Sequence, residues 1–183
     1  MNPFVCGPEI TKEKRHELFG TVAGGAGAQK PEEYQRRIIV KETGSPCEKT
    51  NMRINLMGNI MCSIAQPNRE DDGFDYSENF DGLQKINNKK IYINLKCIVG
   101  HGGSQTRSLR EVYWFILGQM NTASAMLLNN VYFANVLDGD EAHVCMDKYK
   151  HLVNRPGYEE IKHRIFVGNL AEYIQWVKTL QID

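Results

Sequence analysis

Alternating apolar and polar positions near the middle of the chain predict a β-hairpin. Residues 80–86 alternate loosely, with apolar side chains at Phe80, Leu83 and Ile86. Residues 87–90 are turn-type residues, and residues 91–99 form a run of β-branched and aromatic side chains. Such runs are typical of strands, and a short polar turn between two of them indicates a hairpin. The sequence therefore predicts two antiparallel strands joined by a turn.

Helical spacing of apolar residues predicts most of the remaining elements. Ser108 and Glu111 form a capping-box pattern before an amphipathic stretch, and Asn169 and Glu172 form a second one. The predicted helices cover residues 9–22, 31–42, 51–65, 108–120, 140–152 and 170–180, and further strands cover residues 131–137 and 164–167. The 51–65 segment is also compatible with a strand beginning at Arg53, but its apolar spacing favours a helix. A strand, helix, strand crossover implies a parallel pair and hence a mixed sheet.

Lys96 is the least expected residue in the second hairpin strand. Strand alternation places it on the same face as Asn94, between the apolar residues Leu95 and Cys97. Burying an ammonium group is costly unless an opposite charge accompanies it. Asp81, at the start of the neighbouring strand, is positioned to supply that charge. In such a pair the acid can hold a divalent cation, and the lysine can orient or activate a water beside a phosphodiester.

This segment resembles the core of the PD-(D/E)xK nucleases, and in particular the type II restriction endonucleases. Asp81 matches the first acid of the family pattern, Lys96 matches its lysine, and Gln105 and Arg107 match polar residues near the start of the following helix. Asn94 stands where the family usually has Glu or Asp. The resemblance implies an α/β (α+β) fold with a restriction-endonuclease-like αβββαβ core, in which helices flank a mixed central sheet. It also implies a Mg²⁺-dependent hydrolase that cuts double-stranded DNA as a homodimer, as in a restriction system.

The resemblance assigns roles to individual residues. The expected catalytic residues are Asp81, Asn94, Lys96 and Gln105, and the expected metal ligands are Asp81, Asn94 and Glu78. The expected DNA-binding residues are Lys89, Lys90, His101, Ser104, Arg107 and Arg110. Glu33, at the start of the helix before the core strands, is a further candidate acid, as are the acids of the loop at residues 66–79.

Two alternatives remain open from the sequence. Asn94 brings no charge to a metal, so the protein is alternatively a catalytically inactive nuclease-fold module for nucleic-acid binding or assembly. The other alternative is a small enzyme that uses Asp138, Asp140 and His143, which follow the 131–137 strand. The competing interpretation of these residues is a tight turn in which Asp140 caps the next helix.

Length and composition set the context of these predictions. The chain has 183 residues and a formal net charge of +0, which argues against a strongly basic coat protein but does not exclude a nuclease with a local positive groove. Residues 31–183 are expected to form a single nuclease-like domain, after an arm and short helix in residues 1–30, of which residues 1–8 are expected to be loose. The five cysteines include no C-x-x-C pair, which indicates a reducing, intracellular (cytoplasmic) setting. No apolar run is long enough to span a membrane.

Overall fold

The computed structural model describes residues 3–20, 30–63, 77–126 and 130–182. Five α-helices occur in these ranges: α1 (Lys12–Phe19), α2 (Lys30–Thr43), α3 (Gly103–Ala125), α4 (Asp140–Val153) and α5 (Leu170–Ile182). Short 3₁₀ turns cover Gly7–Glu9 and Lys162–Arg164. The helices predicted around residues 9–22, 31–42, 140–152 and 170–180 are confirmed in type, although residues 21 and 22 lie outside the described ranges. No helix of the described ranges combines the length and the apolarity needed to cross a membrane.

A five-stranded mixed sheet forms the centre of the fold. Its strands are β1 (Cys47–Glu48), β5 (Gly82–Ile86), β6 (Lys89–Cys97), β7 (Val131–Asp138) and β8 (Ile165–Gly168), in that spatial order. β5 is antiparallel to β1 and to β6, whereas β6, β7 and β8 run parallel. The predicted hairpin, the crossover and the mixed sheet are therefore confirmed. The hairpin turn is shorter than predicted, because Lys89 and Lys90 already belong to β6.

Apolar side chains pack on both faces of this sheet. One core lies between the sheet and helices α3 and α4, around Phe80, Phe133 and Ile116. The other lies between the sheet and helices α2 and α5, around Ile39 and Tyr173. Every residue of β7 is buried, as expected for a parallel strand covered on both faces. The central strands are thus held from both sides, which fixes the positions of the residues at their ends.

The 51–65 segment is not the helix that its apolar spacing favoured. It contains β2 (Arg53–Asn55) and β3 (Ile60–Cys62), which pair with each other, and β4 (Ser77–Asn79) completes a second, three-stranded sheet. Turn chemistry overrides the apolar spacing: the Asn55 side chain accepts hydrogen bonds from Met57 N and Gly58 N at 2.9 and 3.2 Å. Asn59 has a φ of 51°, which a helix does not allow.

This small sheet lies against α3. A Cβ atom at Gly118 would lie 2.6 Å from Leu56 Cδ2, so the glycine lets the Leu56 side chain pack closely on the helix.

Two helix starts had been predicted from capping boxes, with opposite results. Asn169 and Glu172 form both reciprocal bonds at the start of α5, at 2.8 and 3.0 Å, which confirms the second prediction. The first is wrong, because α3 begins at Gly103 and Ser108 lies inside it. The flexible Gly102, with a φ of 155°, turns the chain into this helix.

The N-terminal segment is held against the end of β7 and is not loose where it is described. Gly139 N donates to Gly7 O at 3.0 Å, and Asp140 N donates to Ile10 O at 3.1 Å. Cys6 and Ile10 of this segment are buried. The chain before α1 therefore helps to shape the end of the sheet where the candidate site lies.

Candidate functional site

Asp81 is fixed at the beginning of β5 by bonds to the neighbouring strand. Its N–H donates to Ile93 O at 2.8 Å, and its Oδ2 accepts a hydrogen bond from Leu95 N, also at 2.8 Å. Phe80 precedes it and is buried between Tyr92, Phe115 and Phe133, which anchors the chain on one side. The carboxylate is therefore held beside the C-terminal part of β6, where Lys96 lies.

The charge of Lys96 acts on this carboxylate, as expected from the sequence. Burial raises the pKa of Asp81, and the charge of Lys96 is the largest influence that opposes the rise. The hydrogen bond from Leu95 N and the charge of Arg36 also lower the pKa of Asp81. Lys96 is only partly buried, and its charge acts on the Asp81 carboxylate. Lys96 and Asp81 are therefore opposite charges within electrostatic reach of each other.

Helix α2 brings a second acid to the same place. Burial raises the pKa of Glu32, and the neighbouring charge of Asp81 raises it further. Lys96, Arg36 and Lys49 oppose this rise. Glu32 and Asp81 are therefore like charges within electrostatic reach of each other, with Lys96 as their common counter-charge. No sequence motif had pointed to Glu32.

The acid that the sequence suggested in this helix, Glu33, is the neighbour of Glu32. Glu33 is exposed and lines a surface pocket with Tyr34 and Arg37, whereas Glu32 is partly buried. Arg36 follows Glu32 by four residues, so the two lie on the same face of α2. Arg36 is 9% exposed and donates from Nη1 to Asp81 O at 3.1 Å. The bond ties the face of α2 that carries Glu32 to the start of β5.

Glu32 and Asp81, whose charges act on each other, are the described carboxylates that would hold a divalent cation at this place. Two like-charged acids held together, one of them strongly desolvated, favour a cation between them. Mg²⁺ is commonly bound by one or two carboxylates, with water and substrate phosphate completing its shell. Within the described ranges, however, no group of three or more His, Cys, Asp or Glu side chains is arranged for a metal ion. The site therefore offers at most a two-carboxylate anchor from described residues.

Asn94 does not point into this site and so does not serve as the predicted second ligand. It is 1% exposed, and its Nδ2 donates to Asn135 Oδ1 at 3.1 Å. Asn135 also exchanges bonds of 2.7 and 3.0 Å with Gln119 of α3, and its Nδ2 reaches Phe166 O at 3.3 Å. Asn94 is thus part of a buried amide network that crosses the core.

Glu78, the third predicted metal ligand, belongs to the small sheet. It lies in β4, opposite Ile54 of β2. The other acids of the preceding loop, Asp71, Asp72 and Asp75, fall outside the described residues.

The predicted DNA-binding residues do not form one cluster. Lys89 and Lys90 lie at the opposite end of β6 from Lys96, and seven residues of strand span roughly 23 Å. The Lys89 ammonium group approaches Leu180 O at 3.4 Å. The expectation that these lysines lie beside the site is therefore wrong.

The remaining residues of that set lie around the start of α3. His101 Nδ1 lies 2.7 Å from Glu141 Oε2, with the histidine side chain 90% exposed. Ser104 Oγ donates to Gln105 Oε1 at 2.8 Å. Arg107 and Arg110 are exposed on the first turns of α3. This end of α3 follows soon after the strand that carries Lys96, so these groups lie at the same end of the sheet as the site.

Asp138, Asp140 and His143 do not assemble into a second site. Asp138 is completely buried, and its carboxylate accepts hydrogen bonds from Gly7 N at 2.6 Å, Gln35 Nε2 at 2.7 Å and Leu170 N at 3.2 Å. Asp140 Oδ1 accepts from Gly100 N and Glu141 N, and His143 is exposed on α4. Gly139, and not Asp140, is the residue that precedes α4. The structure gives these acids a role in holding loops and helix ends.

Comparisons with protein-family models, with curated proteins and with solved structures find no match to this chain.

Proposed function

We propose that the protein is a Mg²⁺-dependent endonuclease that hydrolyses phosphodiester bonds in double-stranded DNA, similar in type to the type II restriction enzymes. The observation that carries the proposal is the grouping of Glu32, Asp81 and Lys96. Their charges influence one another at the junction of α2, β5 and β6. Carboxylates that hold a metal ion beside a cationic side chain can support this hydrolysis.

The order of elements around the site supports the same proposal. The chain passes from helix α2 to three strands, β1, β5 and β6, in which β5 pairs antiparallel with both β1 and β6. Helix α3 follows, and then strand β7, which runs parallel to β6. The small sheet of β2, β3 and β4 is inserted between β1 and β5. This sequence of elements agrees with the αβββαβ arrangement expected from the resemblance.

Each residue of the site has a distinct role in the proposed reaction. Glu32 and Asp81 would hold a Mg²⁺ ion, which supplies a Lewis acid for the phosphodiester and lowers the pKa of a bound water. The Lys96 ammonium orients the attacking water and offsets the charge that develops on the phosphate oxygens. Arg36 holds the start of β5 against α2 through its bond to Asp81 O, and so keeps the two acids in place. The proposal includes a homodimer acting on a symmetric DNA site, because a two-fold protein matches a two-fold sequence.

A catalytically inactive nucleic-acid-binding module is the second candidate function. The burial of Asn94 in the amide network favours it, because the position that usually supplies an acid contributes nothing to the site. Direct binding of Mg²⁺ separates the two candidates. An active enzyme requires the ion at its two carboxylates, whereas a binding module retains DNA affinity without it.

Plasmid cleavage tests the proposed function. Supercoiled plasmid incubated with the protein and Mg²⁺ should be converted to nicked, linear or fragmented DNA. EDTA and the Lys96→Met variant should both stop the conversion. If the plasmid stays intact while the protein binds it, the inactive module is the correct function.

A further inference from the structure

Two arginines and a tryptophan form an exposed stripe along α3. Arg107, Arg110 and Trp114 are spaced by three and then four residues, so they lie on one face of the helix. Both arginines are exposed, and Trp114 is 57% exposed, although tryptophan is among the more buried residue types on average. The core does not enclose this ring, so the stripe is open to a partner.

Helix α4 extends this stripe. A groove of about 390 Å³ lies between Tyr113 of α3 and one face of α4. The α4 side chains that line it are Asp147, Lys148, His151, Leu152 and Arg155. The rings of Tyr113 and Trp114 meet edge-on with their centroids 5.4 Å apart, and Arg155 Nη2 donates to the Tyr113 hydroxyl at 3.3 Å. The stripe and the groove are therefore continuous, and together they form a basic–aromatic surface.

The basic–aromatic surface carries an excess of positive charge in a chain whose formal net charge is +0. Its four permanently cationic side chains are Arg107, Arg110, Lys148 and Arg155. The acids next to these cations in sequence are Glu111 and Asp147. Within the described residues, none of the four cations forms an ion pair. The surface therefore favours an anionic partner.

An unpaired nucleic-acid strand matches both the charge and the exposed ring. Such a strand offers phosphates to cations and base faces to aromatic side chains. The carboxylates of an acidic peptide would satisfy the arginines alone, and the base faces of an intact duplex are covered by their neighbours. Arg107 and Trp114 lie roughly 10 Å apart along the helix axis, which is about the length of three nucleotides at 3.4 Å each.

We propose that the basic–aromatic surface binds unpaired nucleotides, with a base stacked on Trp114 and neighbouring phosphates held by Arg107 and Arg110. The surface begins near the start of α3, at the end of the sheet where Lys96 lies. The choice of ligand rests on the proposed function: the bound nucleotides belong to the strand that passes the candidate site. The substrate is then DNA in which an unpaired segment adjoins the duplex, and Trp114 positions this segment without touching the cleaved bond.

Tryptophan fluorescence tests the stacking directly. The chain has two tryptophans, and Trp176→Phe leaves Trp114 as the only one while it keeps a ring beside Phe166 and Tyr173. A single-stranded oligonucleotide of roughly ten nucleotides, added with EDTA to prevent cleavage, should quench the emission of this variant. A blunt duplex of the same length should quench it much less, because its bases are already stacked.

Substitutions in the full chain separate the ring from the charges. Trp114→Ala should bind the oligonucleotide about ten-fold more weakly than the wild type, and Trp114→Phe should recover most of this loss, because phenylalanine also stacks on a base. Replacing both Arg107 and Arg110 by Gln should reduce the slope of log K against log salt by about 1.4, as expected for two phosphate contacts with a single strand. The control is Lys178→Gln, which removes an exposed cation of α5 on the opposite face of the sheet and should leave the slope unchanged.

The outcomes distinguish this surface from the nuclease proposal. Trp114 emission that the oligonucleotide leaves unchanged, or equally tight binding by Trp114→Ala, would overturn the stacking surface, and plasmid cleavage by the same wild-type protein would leave the nuclease proposal intact. Quenching together with weaker binding by Trp114→Ala, in a protein that does not cut plasmid, would support the surface and contradict the nuclease. If Trp114→Ala lowers the sedimentation coefficient of the free protein and binds the oligonucleotide normally, the surface is an interface between two copies of the chain and the proposal is wrong.

Discussion

Asp81 and Asp138 are two acids on either side of β6, near the end of the strand that carries Lys96. Asp81 contacts β6 through Leu95 N, and Asp138 is the register partner of Cys97. Burial raises the pKa of both carboxyl groups. Sequence and pKa direction alone do not separate them, yet their surroundings differ.

The difference lies in what neutralises each charge. Asp138 is closed off from solvent, and two backbone amides and the side chain of Gln35 satisfy its carboxylate. Among the described residues, the Asp81 carboxylate accepts one hydrogen bond, and Lys96, Arg36 and the like-charged Glu32 surround it. A saturated carboxylate holds a fold together, whereas an incompletely satisfied one beside a second acid retains the capacity to bind a cation.

The largest expected effect is the loss of activity on removing the charges of the site. Asp81→Asn keeps an acceptor for Leu95 N but loses the negative charge, and Lys96→Met keeps the length of the side chain but loses the ammonium. Each should lower the rate of Mg²⁺-dependent plasmid cleavage by about a thousand-fold or more. Single-turnover cleavage rates measure the effect, and circular dichroism checks the fold. A rate within about ten-fold of wild type in both variants would remove Asp81 and Lys96 from the mechanism.

Removing the carboxylate of Asp138 should reduce the stability of the protein, in contrast to the loss of activity expected at Asp81. Asp138→Ala leaves the backbone donors of Gly7 and Leu170 buried without an acceptor, and this should lower the free energy of unfolding by about 3 kcal/mol. Urea denaturation measures the change, with Asp147→Ala, an exposed residue of α4, as the control. Should Asp138→Ala unfold at the same urea concentration as the wild type, the structural role of this acid would be wrong.

A smaller effect separates the two neighbouring acids of α2. Glu32→Gln should reduce cleavage and Mg²⁺ affinity by at least about ten-fold, because it removes one of the two carboxylates. Glu33→Gln should leave both within about two-fold, since Glu33 is exposed and faces another pocket. Isothermal titration with Mg²⁺ measures the affinities. The reverse order of effects would mean that the sequence-based choice of Glu33 was correct.

The smallest expected effect is a pH dependence of stability in the metal-free protein. The pKa of Asp81 is higher in the folded state than its ordinary value, so the folded protein holds this proton more tightly. Its contribution to stability is complete below the ordinary carboxyl pKa of about 4 and is lost as the pH rises through the folded pKa. Asp81→Asn should therefore gain stability relative to the wild type as the pH rises. Parallel urea curves for the two proteins test this, and a constant difference at all pH values would contradict it.

Most of the sheet could be predicted from the sequence because its strands have strong local patterns. The β-branched run of β6 and the apolar run of β7 are long and uninterrupted, and Asn169 with Glu172 forms an unambiguous cap. The 51–65 segment could not be predicted correctly by spacing alone. Its methionines and isoleucines fit both helix and strand periods, and the turn formed by Asn55, Gly58 and Asn59 decided the outcome.

The site was predictable in part for a similar reason. The position of Lys96 between apolar residues of a strand identified it as a lysine that needs an acid, and Asp81 supplies that acid. Glu32 was missed because adjacent acids at a helix start look equivalent, although Arg36 four residues later marks the face that carries Glu32. Asn94 was assigned to the site from its position beside Lys96, but Asn135 and Gln119, both distant in sequence, provide its buried surroundings.

The most direct test of the two-carboxylate site is a ¹³C NMR titration of the carboxyl groups with and without Mg²⁺. In the absence of the ion, Asp81 and Glu32 should titrate above the ordinary range of their residue types. Mg²⁺ should shift both resonances and lower both pKa values, while the resonance of Asp138 stays unchanged. If the resonances of Asp81 and Glu32 do not change when Mg²⁺ is added, the metal site is contradicted and, with it, the proposed nuclease.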